Sequence, residues 1–324
     1  MYDIITIGSA TRDVFLASKN FQLINSDKFS TGVGECVPFG SKIDVETVVR
    51  TTGGGGTNSA ATFASLGFNT AVITRVGDDD AAESVINDLK KFNVKTTLVN
   101  KIKKGTTGYS VLLTAKNGER SALVHRGVSS EFQIKDVPLK KLKSKWLYIT
   151  SLAGNTSLAL KVVKEARKNK TLIAFNPGGG ELSKGLKELL PIMKHLTLFN
   201  LNTEEARELT KDNKSSIKEL CEKLALPGLT VIITDGPNGA YAHLDGTTWY
   251  IRPQGKKAIS RTGAGDSFGS GLVSALAKGM GIDEALKVGM LNAESVIQSY
   301  GAKIGILNKW PTRAALKRVK VKLI

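Results

Sequence analysis

Cysteine is scarce in this chain: Cys36 and Cys221 stand far apart and in no CxxC spacing. Neither a disulfide framework nor a zinc site is indicated, and a reducing cytoplasm is the simplest setting. Histidine is as sparse, and His125, His195 and His243 are isolated, with no metal-ligand spacing, so structural roles are expected for them. No segment is apolar enough to cross a membrane, and the start Met1-Tyr2-Asp3-Ile4-Ile5 lacks a basic region followed by a long apolar run. A soluble, unexported protein is expected. Also missing are an internal repeat with a period of about 20 to 50 residues and any low-complexity linker. The chain has no G-x-x-x-x-G-K-[ST] loop and no H-R-D or D-F-G set, so the phosphate-binding folds that use them are not supported.

Acidic residues are outnumbered, 29 against 46 Lys and Arg, giving a formal net charge of +17. Such an excess raises the question of nucleic acid or anionic lipid. Its distribution argues against both. Lysines are spread along helical stretches such as Lys161 to Lys168, where a solvated face accounts for them. The densest basic stretch, Lys317-Arg318-Val319-Lys320-Val321-Lys322, has no interleaved aromatic residue to stack on bases. A general anion-attracting field suits a phosphate-using enzyme equally well.

What is present is an ordinary globular composition, 41% apolar and 23% charged, in 324 residues. That length can bury a real core and admits one large α/β domain with an appendage or two modest domains. Ile4 to Ile7, ending at Gly8, reads as a short buried strand feeding a loop. From Asp13 to about Thr52 the chain alternates and turns, through Thr31-Gly32-Val33-Gly34 and Val45 to Val49, which predicts antiparallel β structure. The glycine run Gly53 to Gly56 then opens an amphipathic helix from Asn58 to Leu66, closed by Gly67, with a strand from Thr70 to Val76 after it. Tyr109 to Thr114 and Ser121 to His125 predict a second β patch joined by a turn at Lys116-Asn117-Gly118-Glu119. Beyond it, strands at Trp146 to Thr150, Leu172 to Phe175 and Leu196 to Asn200 alternate with helical stretches such as Ser157 to Asn169. That order predicts a parallel sheet wrapped by helices. The expected architecture is a doubly wound α/β body, with a small β-sheet lid built from segments near 14–52 and 95–130.

Chemistry concentrates in Thr262-Gly263-Ala264-Gly265-Asp266, which precedes the small-residue helix Leu272 to Ala277. A glycine-rich turn at a helix start aims free backbone N–H groups at an anion, and with the helix dipole it can hold the oxygens of a phosphoryl group in flight. Transfer of that group needs mainly positioning and charge stabilisation, so one carboxylate in the turn suffices as base. Taken alone, Asp266 is also a helix N-cap candidate.

The segment resembles the C-terminal signature of the ribokinase-like, PfkB-type carbohydrate kinases, usually written D-T-x-G-A-G-D. Gly53-Gly54-Gly55-Gly56-Thr57-Asn58, followed by Ala60, Ala61, Leu66 and Gly67, is similar to the family's N-terminal signature, and Val76-Gly77-Asp78-Asp79 follows in the expected order. The resemblance extends over nearly the whole chain, 1–324 as one kinase domain. It implies a three-layer α/β/α fold with a mostly parallel central sheet and the small β lid. It implies Asp266 as base, with Gly263, Ala264 and Gly265 as the anion hole. Asp13 sits where such kinases hold substrate hydroxyls, and an ionised carboxylate accepts from both hydroxyls of a diol. On its own, Asp13 also fits a loop salt bridge. Gly54, Gly56 and Asn58 match the substrate-cradling turn, which also reads as a tight turn and helix cap.

Asn202-Thr203-Glu204-Glu205 resembles the N-x-x-E element that organises Mg²⁺ and its waters, which makes Asn202 and Glu205 metal candidates. By itself it is a commonplace acidic first turn. Thr234-Asp235-Gly236-Pro237-Asn238-Gly239 resembles the nucleotide loop, placing Thr234, Gly236 and Gly239 near ATP, and Asn292 is a candidate for the adenine edge. Ser260 and Arg261 stand where the pattern reads Asp-Thr. That Asp helps ligate a monovalent cation in the family, so activation by K⁺ is left open. The expected activity is ATP- and Mg²⁺-dependent phosphorylation of a hydroxyl on a sugar or sugar derivative. The alternatives are a nucleoside kinase of the same family, with Arg126 and Asn176 among the residues that would discriminate, and a non-catalytic kinase-fold binding protein. Small-molecule partners are expected rather than nucleic acid or membrane, with a homodimer through the lid as a further expectation.

Overall fold

Short runs of β-branched and aliphatic residues, bounded by glycine and turn residues, supply the framework. The structure is a computed structural model and describes residues 1–29, 32–114 and 120–324. Thr31 and the turn expected at Lys116 to Glu119 lie outside the described residues. From the N-terminus, β1 (Tyr2–Ile7) leads to β2 (Thr11–Ala17), the antiparallel pair β3 (Gln22–Asn25) and β4 (Val33–Cys36), and β5 (Thr47–Gly53). Helix α1 (Gly55–Ser65), β6 (Thr70–Val76), α2 (Asp80–Lys91), β7 (Val99–Lys101), β8 (Gly108–Thr114) and β9 (Arg120–His125) follow. Then β10 (Ser144–Ile149), α3 (Thr156–Lys168), β11 (Leu172–Phe175), α4 (Gly179–Leu182), α5 (Leu186–Met193), β12 (Leu198–Asn202), α6 (Thr203–Thr210), α7 (Ile217–Leu224) and β13 (Thr230–Thr234) alternate. The chain finishes with β14 (Ala240–Leu244), β15 (Thr247–Ile251), α8 (Ala264–Ala277), α9 (Ile282–Val296), α10 (Arg313–Arg318) and β16 (Val321–Leu323).

Ten strands form the large sheet, in the order β16-β15-β14-β13-β12-β11-β10-β1-β6-β7. Every neighbouring pair from β13 to β7 is parallel, and β13 to β16 are joined antiparallel. Successive side chains of a strand point to opposite faces, so both faces need cover. On β10, Trp146 and Tyr148 enter one core with Phe63 of α1, Phe268 of α8 and Leu286 of α9. Leu147 and Ile149 enter the other, with Val162 of α3, Leu189 of α5 and Leu220 of α7. Helices therefore cover both faces, the three-layer α/β/α arrangement expected. Because the strands are parallel, the loops leaving β1, β6, β10, β11, β12 and β13 open at one edge of the sheet, where ligands of open α/β sheets bind.

A separate four-stranded sheet, β5-β2-β8-β9, grows from that edge: β2 follows β1 after a short loop, and β5 runs directly into α1. Its strand β2 pairs antiparallel with β5 and parallel with β8. Within the segment 95–130, Lys95 and β7 pair with β6 in the large sheet, whereas β8 and β9 join the small one. Val48, Tyr109, Leu123 and Val124 of the small sheet are exposed.

The solvated face expected of the lysine-rich helix is observed on α3, where Lys161, Lys164, Arg167 and Lys168 are exposed and Val162, Val163 and Ala166 are buried. The basic C-terminal stretch ends as the edge strand β16, paired with β15. Both thiols are free. His243 Nδ1 meets Thr248 Oγ1 at 2.8 Å across β14 and β15, a structural pairing. Among the described residues, no helix is long and apolar enough to cross a membrane.

Candidate active site

The turn between β5 and α1 begins where a side chain cannot go. Gly54 has φ +94°, and a Cβ there would run into the Ser9 carbonyl, so the chain reverses here only as glycine. Gly56 lies against the backbone of Gly8, and the Thr57 hydroxyl donates to the Gly53 carbonyl at 2.7 Å. The N-cap Gly54 has no side chain to offer; the Gly55 N–H donates to Ser9 Oγ at 3.2 Å and the Thr57 N–H to the Gly54 carbonyl at 3.0 Å, and the positive end of the helix lies at this turn. Asn58, in that first turn, donates from Nδ2 to Asp266 Oδ2 at 2.8 Å, and its Oδ1 is buried with no partner.

Asp266 comes from α8, whose start is built in the same way. Gly263 is left-handed, with φ +79°, and Ala302 packs where its Cβ would be; no side chain caps the helix. A Cβ on Gly265 would meet nothing within 4 Å, which leaves open space above the turn formed with Ala264. Two helix N-termini with glycine N-caps thus converge on one cleft, a ready anion site. Gly263, not Asp266, is the N-cap, and the Asp266 carboxylate is turned across to α1. Lost hydration raises the pKa of Asp266, partly countered by the Asn58 hydrogen bond and the Lys303 charge, while Asp13 adds repulsion.

Asp13 lies on β2, buried, and accepts from Thr11 Oγ1 at 2.8 Å. Ser110, its cross-strand partner on β8, is also near the carboxylate. Burial raises the Asp13 pKa, opposed by the Thr11 hydroxyl, Lys303, Ser110 and Arg12. The structure therefore brings Asp13, Asn58, Asp266 and the glycines of both turns to one place. Lys303, Thr52 and Asp88, which also meet here, escaped the sequence analysis. A lone lysine among 46 basic residues carries no local signal of burial.

Asn202 and Glu205 form a reciprocal capping box at the start of α6: Glu205 N–H donates to Asn202 Oδ1 and Asn202 N–H to Glu205 Oε2, each at 2.8 Å. Burial raises the Glu205 pKa, and repulsion from Glu204 and Asp266 adds to it. No group of three or more His, Cys, Asp or Glu that could hold a metal occurs among the described residues. The donors fit Mg²⁺ in one way, as a single carboxylate edge contacting a cation that keeps its waters and takes its other ligands from phosphate.

Thr234 ends β13 and accepts from Thr203 of α6, which also bonds Asp235 at 2.8 Å, so the loop from Thr234 to Gly239 lies against the start of α6. Gly236 is exposed and Gly239 buried. Asn176, after β11, donates to the Asn200 carbonyl at 2.8 Å, and Arg126 is exposed beyond β9. Asn292 stands apart. It is fully buried, donating to the Ser267 carbonyl and accepting from Leu307 N–H, both at 2.8 Å, with Thr62 Oγ1 at 3.4 Å. Its amide joins α1, α8 and the segment after α9, and the side chain is sealed from solvent. Ser260 is buried, and its hydroxyl bonds Thr262 where an aspartate would bring charge.

The model of the pfkB family carbohydrate kinases matches residues 1–309. A ribokinase of Haemophilus influenzae is 29% identical over 271 residues, 81% of this chain and 84% of its own. Among solved structures, a nucleoside kinase of Methanocaldococcus jannaschii superposes with a TM-score of 0.77 at 21% identity, covering 98% of this chain and 97% of its own. Arabidopsis thaliana ribokinase, complexed with ribose and ATP, gives a TM-score of 0.76 at 19% identity, covering 98% of both chains. The chain belongs to the pfkB family of carbohydrate kinases, phosphotransferases that act on a hydroxyl group.

Proposed function

We propose that the chain transfers the γ-phosphoryl group of ATP to a hydroxyl of a diol-bearing sugar or nucleoside, with Asp266 as base. The observation that carries this reading is the Asn58–Asp266 hydrogen bond, which ties two glycine turns 208 residues apart into one cleft. Asp266 accepts the proton of the acceptor hydroxyl as that oxygen attacks phosphorus, and ADP leaves. The backbone amides of Gly263, Ala264 and Gly265, of which that of Ala264 also donates to the Arg261 carbonyl at 3.3 Å, receive the charge that spreads over the transferring oxygens. Asp13, the free Oδ1 of Asn58 and the bare backbone at Gly54 and Gly56 hold the acceptor. Thr234, Gly236 and Gly239 flank the nucleotide. Asn202 and Glu205 would hold Mg²⁺ through its waters; when bound, that ion neutralises phosphate charge.

The small sheet serves as a lid, since two of its connections to the body, β1 to β2 and β5 to α1, border the cleft. Its exposed Leu123 and Val124 favour pairing of two copies through the lid, and sedimentation of the purified chain as a monomer would count against that. A cytoplasmic setting agrees with the two free thiols.

ADP release measured across ribose, fructose, ketodeoxygluconate, adenosine and other nucleosides tests the reading. One of them is expected to drive turnover well above the hydrolysis of ATP alone, and no response to any acceptor of this class would overturn it. The same assay in sodium and in potassium is expected to give similar rates, because Ser260 offers a hydroxyl in place of a carboxylate. Strong activation by potassium would contradict that expectation.

A further inference from the structure

A lysine is the last side chain one expects to find sealed in a protein, and Lys303 is 5% exposed. It lies in the segment Gly301-Ala302-Lys303 after α9, which is wedged between the two halves of the cleft. Gly301 packs against Thr51 of β5, and Ala302 fills the hollow at Gly263 in the turn before α8. The ammonium Nζ donates to the Thr52 carbonyl at 2.9 Å and to Thr52 Oγ1 at 2.7 Å, and it faces Asp88 Oδ2 of α2 at 3.5 Å. Thr52 Oγ1 in turn bonds Asp88. Thr52 is the residue just before Gly53 and Gly54, so the lysine holds the strand that delivers the acceptor-side turn.

Charge makes the placement more than a fastening. Three carboxylates surround this position: Asp88 of α2 at 3.5 Å, Asp13 of β2, whose carboxylate lies against Gly53 next to the Thr52 that the ammonium holds, and Asp266 of α8, whose turn is the one Ala302 packs on at Gly263. Two of them are the groups assigned above to hold the acceptor and to take its proton, and both are pulled toward ionisation by this one ammonium. Without it, burial and mutual repulsion of Asp13 and Asp266 act unopposed from this side. Resting on the function proposed above, we propose that Lys303 is a positioning residue for phosphoryl transfer: it fixes β5 at Thr52 and supplies the buried positive charge that keeps Asp13 and Asp266 ionised together.

Burial lowers the pKa of Lys303 itself, opposed by its three carboxylates. The ammonium is therefore expected to lose its proton below the ordinary lysine range and to give activity an alkaline limb. A guanidinium does not titrate there, so Lys303→Arg is expected to remove that limb.

The test uses protein labelled with ¹³C at the aspartate carboxyl carbons, with the Asp266 signal assigned by its loss in Asp266→Asn. Its titration is followed in wild type, Lys303→Met, Lys303→Arg and Asp88→Asn, alongside the pH profile of kcat/KM with the acceptor that the panel selects. Lys303→Met is expected to move the Asp266 titration to higher pH and to lower kcat/KM at neutral pH by roughly 10- to 100-fold, the range for a misplaced reacting group. Asp88→Asn keeps the charge and removes its anchor, so its Asp266 titration is expected to stay or move lower. An unmoved Asp266 signal in Lys303→Met would overturn the proposal, as would an equal upward shift in Asp88→Asn, which marks a purely structural tie. Should Lys303→Met fail to fold, Lys303→Arg decides: a wild-type Asp266 titration without the alkaline limb supports the proposal, and a retained limb overturns it. The carboxyl titration needs no acceptor. A shifted titration with no turnover of any acceptor therefore rejects the proposed activity and keeps Lys303 only as the charge that holds Asp266 ionised, while turnover with an unshifted titration keeps the activity and rejects that charge.

Discussion

Replacing Asp266 by asparagine is expected to lower kcat by roughly 10²- to 10⁴-fold, the contribution of a positioned base, with the KM values for ATP and acceptor changed little. Asparagine has the shape of aspartate and can still accept from Asn58 Nδ2 through its carbonyl, so the contact between α1 and α8 survives. What it cannot do is take a proton. Steady-state kinetics separate the two effects, since a rise in KM without loss of kcat would mean that Asp266 only holds substrate. The wild-type profile carries a matching signature. Burial raises the Asp266 pKa, and the base works ionised, so activity should rise with pH through a midpoint above the ordinary carboxylate range.

The same substitution has an opposite effect on stability. A carboxylate whose pKa is higher folded than unfolded favours the fold when protonated, and that advantage is lost as pH rises through the folded value. Asp266→Asn is therefore expected to melt at a higher temperature than wild type at neutral pH, with the gain vanishing under acid conditions where the wild-type carboxyl is also neutral. Thermal unfolding at the two pH values checks the sign. Such a gain is the cost of activity removed.

The second large effect is expected at Asp13. Charge-assisted hydrogen bonds contribute about 1.5–3 kcal/mol each, and two hydroxyls of a diol bind one carboxylate. Asp13→Asn should accordingly lower kcat/KM by about 10²-fold or more, with most of the loss in the KM of the acceptor and the KM of ATP preserved. Its burial beside Thr11 and Ser110 makes the site selective for donors, because an acceptor lacking one hydroxyl leaves a buried oxygen unpaired. An acceptor KM unchanged by Asp13→Asn, with kcat alone reduced, would assign Asp13 to the chemical step instead.

Local patterning made the large sheet legible. Buried parallel strands read as continuous apolar runs, and the strand from Thr70 to Val76 was delimited by its turn residues alone. Helix starts were harder. The start of α8 at Ala264, eight residues before the apolar stretch at Leu272, showed through its glycine turn and not through helix propensity, because its first two turns are mostly glycine and serine with Asp266 and a single large apolar residue, Phe268. The small sheet mixes parallel and antiparallel pairing between distant segments, and that register depends on tertiary packing that no local period reports. In the site, the residues proposed to shape the backbone or to contact phosphate were visible through glycine spacing. Those acting through the interior were hidden: Asn292 reads like any helical asparagine until its amide is found joining α1 and α8, and Lys303 like any surface lysine until Thr52 and Asp88 close around it.

The central claim is that Asp266 takes the proton while the turn before it receives the phosphoryl group. Transfer of labelled γ-phosphate from ATP to the selected acceptor, followed in a single turnover by wild type and by Asp266→Asn with both substrates saturating, tests it most directly. Wild type is expected to yield the phosphate monoester, and the variant the same product at least about 10²-fold more slowly. Product formed by Asp266→Asn at the wild-type rate would contradict the assignment of the base.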